Sequence, residues 1–473
     1  MLKLYATDYN VVNFGAVGDG QTLNSKFIQA AINQANKDGG GKVVIPNGIF
    51  LTGSIVLKSN VELHLRKKAV LLGSTNPENY IKKKWWKAVV MAFNVENVAI
   101  SGQGVIDGQG AEIASHIDSL FYRGNIDSSN YDFNNKRPKE NLRPQLLEFY
   151  NCKNVRVSNV TLKNASCWVQ TYLFCDSLNI ENITVDSDSY WNNDGIDIID
   201  CKNVRIVGCD INSADDGICL KSIDFSKNEF CDNILIENCK VRSSASAVKF
   251  GSAVVSDIKN VIIRNIKVFD TYRSAIAIEA VQGGLIENVL VENIRAKNTG
   301  NAIFLRVGRV RRAKNQGVLR NVVIRDVKVK VAFDRPDKGY NMLGPVVPGF
   351  HNVFPSSITG LPGNNISNVV LEDIKIIYPG RGNPAYANMP LNRTHLVPEL
   401  EEEYPEFSMF GELPAWGFFI RHVDGIKLNN VSLKIKHPDY RTAIVLDDVE
   451  NIELLNLEVK GDKKPFVYRT NKK

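Results

Sequence analysis

Two acidic phrases carry the residue types that could do chemistry: YWNNDGIDIID at 190–200 and SADDGICLKS at 213–222. Asp194 precedes Asp215 by 21 residues and Asp216 by 22. Close carboxylates raise one another's pKa, so one can stay protonated as an acid while another remains a base. Two carboxylates flanking a scissile bond are what glycoside hydrolysis requires. Asn or Asp before Gly is also an ordinary turn signal. Two such turns at this separation, bordered by Tyr190, Trp191 and Lys221, point beyond turns to a site.

Residues 21 or 22 apart meet if the chain returns at that interval, and the sequence repeats at nearly that period. The phrase is Asn, apolar, any, apolar, any, Asn or Asp, apolar, any, apolar. It starts at Asn154, Asn203, Asn233, Asn260, Asn288, Asn321, Asn368 and Asn451, with weaker copies at Asn97, Ser177 and Gly425. From 154 to 288 the steps are 23, 26, 30, 27 and 28 residues. Alternation with Val and Ile in the apolar slots signals strands. A unit this short buries its inner face only by stacking on its neighbours. The expectation is an all-β chain, a right-handed single-stranded parallel β-helix. Asn suits the corner because it tolerates the left-handed region, and neighbouring amides can stack there.

The eight cysteines all lie between 152 and 239. Cys152, Cys175, Cys201 and Cys231 each fall two residues before the corner of their copy. Coils stack about 4.8 Å apart, so these are rungs of an inward ladder. A disulfide framework is the alternative. No pair has the spacing and histidine company of a zinc site. FIQAAINQANKDGG at 27–40 predicts an amphipathic helix, ended by glycine, that caps the first coil. One domain over 1–473 is expected: cap and first strands over about 1–60, then coils over about 61–470. Insertions near 107–145, 330–366 and 378–420, rich in Pro, Gly, Asn and aromatics, read as loops thrown out from the coils.

Counting from the corners extends the candidate site. Asp216 lies 13 residues past Asn203, and the same offset gives Tyr190 from Ser177, Ser246 from Asn233 and Arg273 from Asn260. An offset of 18 gives Lys221 from Asn203 and Arg306 from Asn288. With Lys249, these cations would rim the acids and suit a carboxylated sugar. Singly, each is a plain surface charge. Trp191 and Tyr190 would stack on a sugar ring or pack between coils.

Composition excludes several classes. Hydrophobic residues are 44% and charged residues 23%, which is globular rather than disordered or collagen-like. No apolar run approaches the ~18 residues that span a bilayer. The 58 Lys and Arg exceed the 51 Asp and Glu by seven, a mild excess that suits a polyanion. The densest basic stretch, RVGRVRRAK at 306–314, is not a nucleic-acid arm. MLKLYATDYN at the start is not a signal peptide.

With these phrases the sequence resembles glycoside hydrolase family 28, the polygalacturonase-like pectinases. The resemblance rests on VVNFGAVGDGQTLNSKFIQAAI at 11–32, GKVVIPNGIFLTGSIVLKSNVELHL at 41–65, GQGVIDGQG at 102–110 and the two acidic phrases. The family's Asn-Thr-Asp motif corresponds to Asn192-Asn193-Asp194, and its Asp-Asp motif to Asp215-Asp216. The resemblance implies inversion of configuration. Asp215 would protonate the glycosidic oxygen, while Asp194 and Asp216 activate water and Asp197 supports them. Inverting carboxylates stand roughly 6.5–9.5 Å apart. Two departures matter. Ser246 stands where the family has the His of Gly-His-Gly. AIAIEA at 275–280 replaces Arg-Ile-Lys, putting Ala277 and Glu279 in the basic slots that grip galacturonate.

The expectation is a secreted or periplasmic hydrolase of a pectic polysaccharide or oligosaccharide, exo-acting if the insertions wall off one end. It would use no metal or other cofactor and bind neither nucleic acid nor membrane. Asp194, Asp215 and Asp216 would be catalytic. Asn192, Asp197, Lys221, Ser246, Lys249, Arg273, Arg306 and Trp191 would bind substrate. The missing clamp raises rhamnogalacturonan or another decorated pectin as the alternative substrate. A calcium-dependent β-helical lyase and a non-catalytic carbohydrate-binding β-helix remain as other classes.

Overall fold

The computed structural model describes residues 7–226, 228–344, 352–385, 388–461 and 467–470. The first six residues and parts of the second and third insertions therefore lie outside the described residues. The chain divides into two compact units, Met1–Asp215 and Asp216–Lys473.

Both units are built from coils of parallel β-helix, and parallel crossovers within one sheet are right-handed. In the first unit Val98, Val155, Leu178 and Val204 pair in register, one per coil. In the second, Val261, Val289, Val322, Val369, Ile426 and Ile452 do the same. These β-branched and Leu side chains suit a pleated surface and bury about 1.5–3 kcal/mol each where fully enclosed.

The corner asparagines behave as their type predicts. Asn97, Asn154, Asn203, Asn260, Asn288, Asn321 and Asn368 all have φ between 52° and 56° or at 57°. Their amides donate down the stack, Asn154 to Asn97 at 2.7 Å and Asn97 to Asn60 at 2.9 Å. The second unit repeats this from Asn368 through Asn321 and Asn288 to Asn260, at 3.1, 3.2 and 3.1 Å. Apart from Asp, which serves as an acceptor in the same way at Asp270 below Asn298, few side chains offer both the φ tolerance and the ladder. All eight cysteines are buried free thiols, and the Cys175 N–H donates to Cys201 Sγ at 3.3 Å.

The predicted cap is helix α1, Ser25–Lys37, which buries Ile28, Ala31, Ile32 and Ala35. It also closes a strand edge. The Gln29 amide exchanges two hydrogen bonds with the Val56 backbone, at 2.8 and 3.0 Å. That satisfies edge groups that would otherwise seek another strand. The first insertion is more ordered than a loop. It contains a second helix, α2, Gly110–Tyr122, burying Ile113, Ala114 and Ile117, and a short hairpin pairing Tyr131–Asp132 with Arg137–Pro138. The helical period of Ile113, Ala114 and Ile117 was present in the sequence but masked by flanking Gly and Asn. Among the described residues no helix is long and apolar enough to cross a membrane.

Candidate active site

In the first unit the strands Gln145–Tyr150, Gln170–Leu173 and Ile196–Ile199 pair so that Glu148, Thr171 and Asp197 align. The alternate positions Phe149, Tyr172 and Ile198 align in turn, with Phe149 and Tyr172 stacked at 5.3 Å. Asp197 is buried, so the chain places a carboxylate on a covered face. Glu148 accepts from the backbone N–H groups of Trp85 and Trp86, each at 3.3 Å. Burial outweighs those bonds and pushes its carboxyl up to about 7.

The turn before Ile196–Ile199 carries Asn192, Asn193 and Asp194, and a buried guanidinium and several uncharged groups pin its first two residues. Asn192 has φ 58°. Its side-chain oxygen accepts from Arg143 Nη2 at 2.8 Å, and Trp191 O accepts from Arg143 Nη1 at 2.9 Å. Asn193 is fully buried; its oxygen accepts from Ser187 Oγ, and its amide donates to Cys167 O at 3.1 Å. This dual role uses both ends of an amide, which explains Asn in the place where the resembled motif has Thr. Asp194 O accepts from Val169 N at 2.8 Å, and the Asp194 side chain is almost fully buried. Asp215 is half-buried, and its backbone carbonyl accepts from Ser213 Oγ at 2.8 Å.

Arg143 gave no signal in the sequence. It is fully buried, and it donates to four uncharged acceptors: Pro138 O, Ser166 O, Trp191 O and Asn192 Oδ1. The two aromatic candidates each face a guanidinium. Arg137 lies 5.0 Å from the Trp191 ring centre and Arg143 lies 5.2 Å from that of Tyr190.

In the second unit the strands Ile218–Ser222, Val248–Val254 and Ile258–Ala280 bring charges together. Lys249 pairs in register with Cys219 on one side and Ala277 on the other. Its Nζ is 3.1 Å from Asp216 and 3.7 Å from Glu279, and all three side chains are buried. Asp216 also accepts from the Ser246 N–H at 3.0 Å, so Ser246 contributes here through its backbone. Burial pushes Asp216 up, but Lys249, Arg273, Lys221 and that N–H outweigh it and hold the carboxyl below its ordinary range. Glu279 meets the opposite balance: burial dominates and carries it up to about 8. Burial alone would neutralise Lys249, yet the two carboxylates keep it well above its ordinary value.

The third insertion crosses these residues. Tyr404 Oη accepts from Lys249 Nζ at 3.0 Å, and its ring centre lies 5.2 Å from that nitrogen. Glu406 pairs with Arg273 at 2.7 Å. Phe407 packs with Ala277, Phe304 and Phe354. Sequence reasoning missed Glu279 as a charge partner, and it missed Tyr404 and Glu406 altogether.

Arg306 has another neighbourhood. It is buried, pairs in register with Glu279 and Thr359, and donates to Gly360 O and Glu399 O. The predicted rim of cations is therefore, in the second unit, a set of cations already engaged by acids and carbonyls. Among the described residues no group of three or more His, Cys, Asp or Glu is arranged to hold a metal ion.

Residues 37–333, more than half of the chain, match the family described as glycosyl hydrolases family 28. The chain is 28% identical over 340 residues to a probable polygalacturonase of Vitis vinifera, covering 68% of this chain and 60% of that protein. It is 25% identical over 335 residues to an exo-poly-alpha-D-galacturonosidase of Dickeya chrysanthemi, covering 61% and 55%. The chain thus spans less than two thirds of the length of either relative. Among solved structures, a hyperthermoactive exopolygalacturonase from Thermotoga maritima shares the fold, with a TM-score of 0.61 and 24% identity over 79% of this chain and 87% of that one.

Proposed function

The chain belongs to the glycosyl hydrolases of family 28, and from that premise we propose that it is an inverting, polygalacturonase-like hydrolase of a pectic polysaccharide or oligosaccharide. Asp215 serves as the general acid on the glycosidic oxygen. Asp194 and Asp216 activate the attacking water, supported by Asp197, with Asn192 and Trp191 on the substrate side. The observation that carries this reading is Asp216. Its carboxyl is buried yet held below its ordinary range by Lys249 at 3.1 Å, which keeps it a base at neutral pH.

The reading includes exo action. Its support is the third insertion, whose Tyr404, Glu406 and Phe407 lie across Lys249, Arg273 and Ala277 and cover that part of the second unit. A covered surface leaves no open passage there for a long polymer. The likeness to exo-acting relatives points the same way. A secreted or periplasmic location follows from a polymeric substrate. A rhamnogalacturonan or other decorated pectin is the second reading. It is favoured because Lys249 and Arg273, beside Asp216, already have carboxylate partners.

The test digests homogalacturonan, rhamnogalacturonan and decorated pectins with the wild type and with Asp194→Asn and Asp215→Asn, comparing thermal melts throughout. Each variant is expected to lose hydrolysis and keep its fold. Retention of most of the wild-type rate by both overturns the assignment. Unsaturated products indicate a lyase, and binding without new reducing ends indicates a non-catalytic protein.

A further inference from the structure

The first unit has a cavity of about 330 Å³ lined by Trp86, Arg137, Lys139, Asn141 and Asn192, with Asp132, Glu140 and Arg143 in its wall. That is the size range of small-ligand pockets. Asn192 stands two residues before Asp194, so the cavity opens beside the first acidic turn.

Three cations surround it, and none forms an ion pair among the described residues. Arg143 is spent on neutral acceptors. Arg137 is half-buried and presents its guanidinium to Trp191. Lys139 is exposed. Of the two wall carboxylates, Asp132 is occupied by its own turn, accepting from Asn134 N, Asn135 N and Asn135 Nδ2. Glu140 raises Arg137's pKa, but burial first and Arg143 second push it the other way, and the net shift is downward. Three cations thus face two wall carboxylates, one of which is committed to its own turn. Two polar wall atoms, Trp86 Nε1 and Asn141 Oδ1, are also buried with no hydrogen-bond partner among the described residues. Such orphans cost free energy that hydroxyl-bearing occupants recover.

We propose that this cavity is a uronate subsite, in which Arg137 and Lys139 take the sugar carboxylate and Trp86 and Asn141 meet its hydroxyls. This rests on the hydrolase reading above. It deepens that reading by putting acid-sugar recognition in the first insertion, which supplies Arg137 and Lys139, and not in the basic slots that hold Ala277 and Glu279. A guanidinium–carboxylate pair is the strong, geometrically specific form of such recognition.

The experiment measures trigalacturonate and its methyl ester as substrates for the wild type, Arg137→Ala and Lys139→Ala. Arg137→Ala should raise KM for trigalacturonate about tenfold, leave kcat within about threefold, and lose the preference for acid over ester. Lys139→Ala, an exposed position with little bearing on folding, should move both in the same direction by less. Unchanged discrimination in both variants overturns the subsite while leaving the hydrolase reading standing. If the wild type cleaves nothing, calorimetric binding of trigalacturonate that is lost in Arg137→Ala still supports the subsite. Absence of both cleavage and binding removes both.

Discussion

The two acidic turns are built on opposite electrostatic plans. In the first unit, amides, carbonyls and one guanidinium with no ion pair among the described residues hold Trp191, Asn192 and Asn193. In the second, Asp216 is fixed by charge, through Lys249 at 3.1 Å, with Glu279 sharing that lysine. Neither the amides nor the guanidinium that hold Asn192 and Asn193 change protonation near neutral pH, so these bonds persist there. A buried ion cluster sets a proton inventory instead, and its cations have little left to offer a substrate. The contrast is between a turn shaped largely by hydrogen bonds to amides and carbonyls and a carboxylate held by a buried lysine.

Breaking the charged plan should have the largest effect. Lys249→Met strands the buried Asp216 carboxylate and should cost about 3–5 kcal/mol in stability. Without that cation Asp216's pKa rises, so the acidic limb of the pH–rate profile should move to higher pH. Denaturant melts and a pH profile measure both. Breaking the neutral plan comes next. Arg143→Ala releases the carbonyl of Trp191 and the side chain of Asn192, and misplacement on this scale should lower kcat about a hundredfold. Its pH profile should keep its shape, which distinguishes it from Lys249→Met.

Glu279→Gln sharpens the contrast more gently. Its folded pKa of about 8 lies above its ordinary 4.5. Between those values the native state holds a proton that the unfolded chain has lost, so wild-type stability falls as pH rises across that window. The contribution is complete below the unfolded pKa. The variant should remove this slope, changing Tm by on the order of 2 °C between the ends of the window. The smallest effect is expected from Tyr404→Phe, which removes one hydrogen bond to Lys249, worth about 1 kcal/mol. Hydrogen exchange across 399–410 should rise slightly.

Much of the fold is legible in the sequence. The corner asparagines announced the coil because one backbone position needs φ near 55° and a side chain that can join a ladder. The apolar slots announced the strands, and the cap followed from its period. The register of the charged rim was less legible. Offsets counted from the corners grouped Lys221 with Arg306, but the strands set Lys249 beside Ala277 and Glu279 beside Arg306. Coil lengths vary, and an irregularity after Leu220 shifts the pairing. The partners in the insertions were invisible. Tyr404 meets Lys249 across 155 residues of chain, and no period links them. Arg143 reads as one more arginine until its four acceptors are known.

The central claim is that Asp194, Asp215 and Asp216 hydrolyse a pectic linkage by direct attack of water. Proton NMR of the first product, recorded before mutarotation, tests it most directly. The anomeric configuration should be inverted from that of the bond cleaved, with no such product from Asp215→Asn. A product of retained configuration would contradict it.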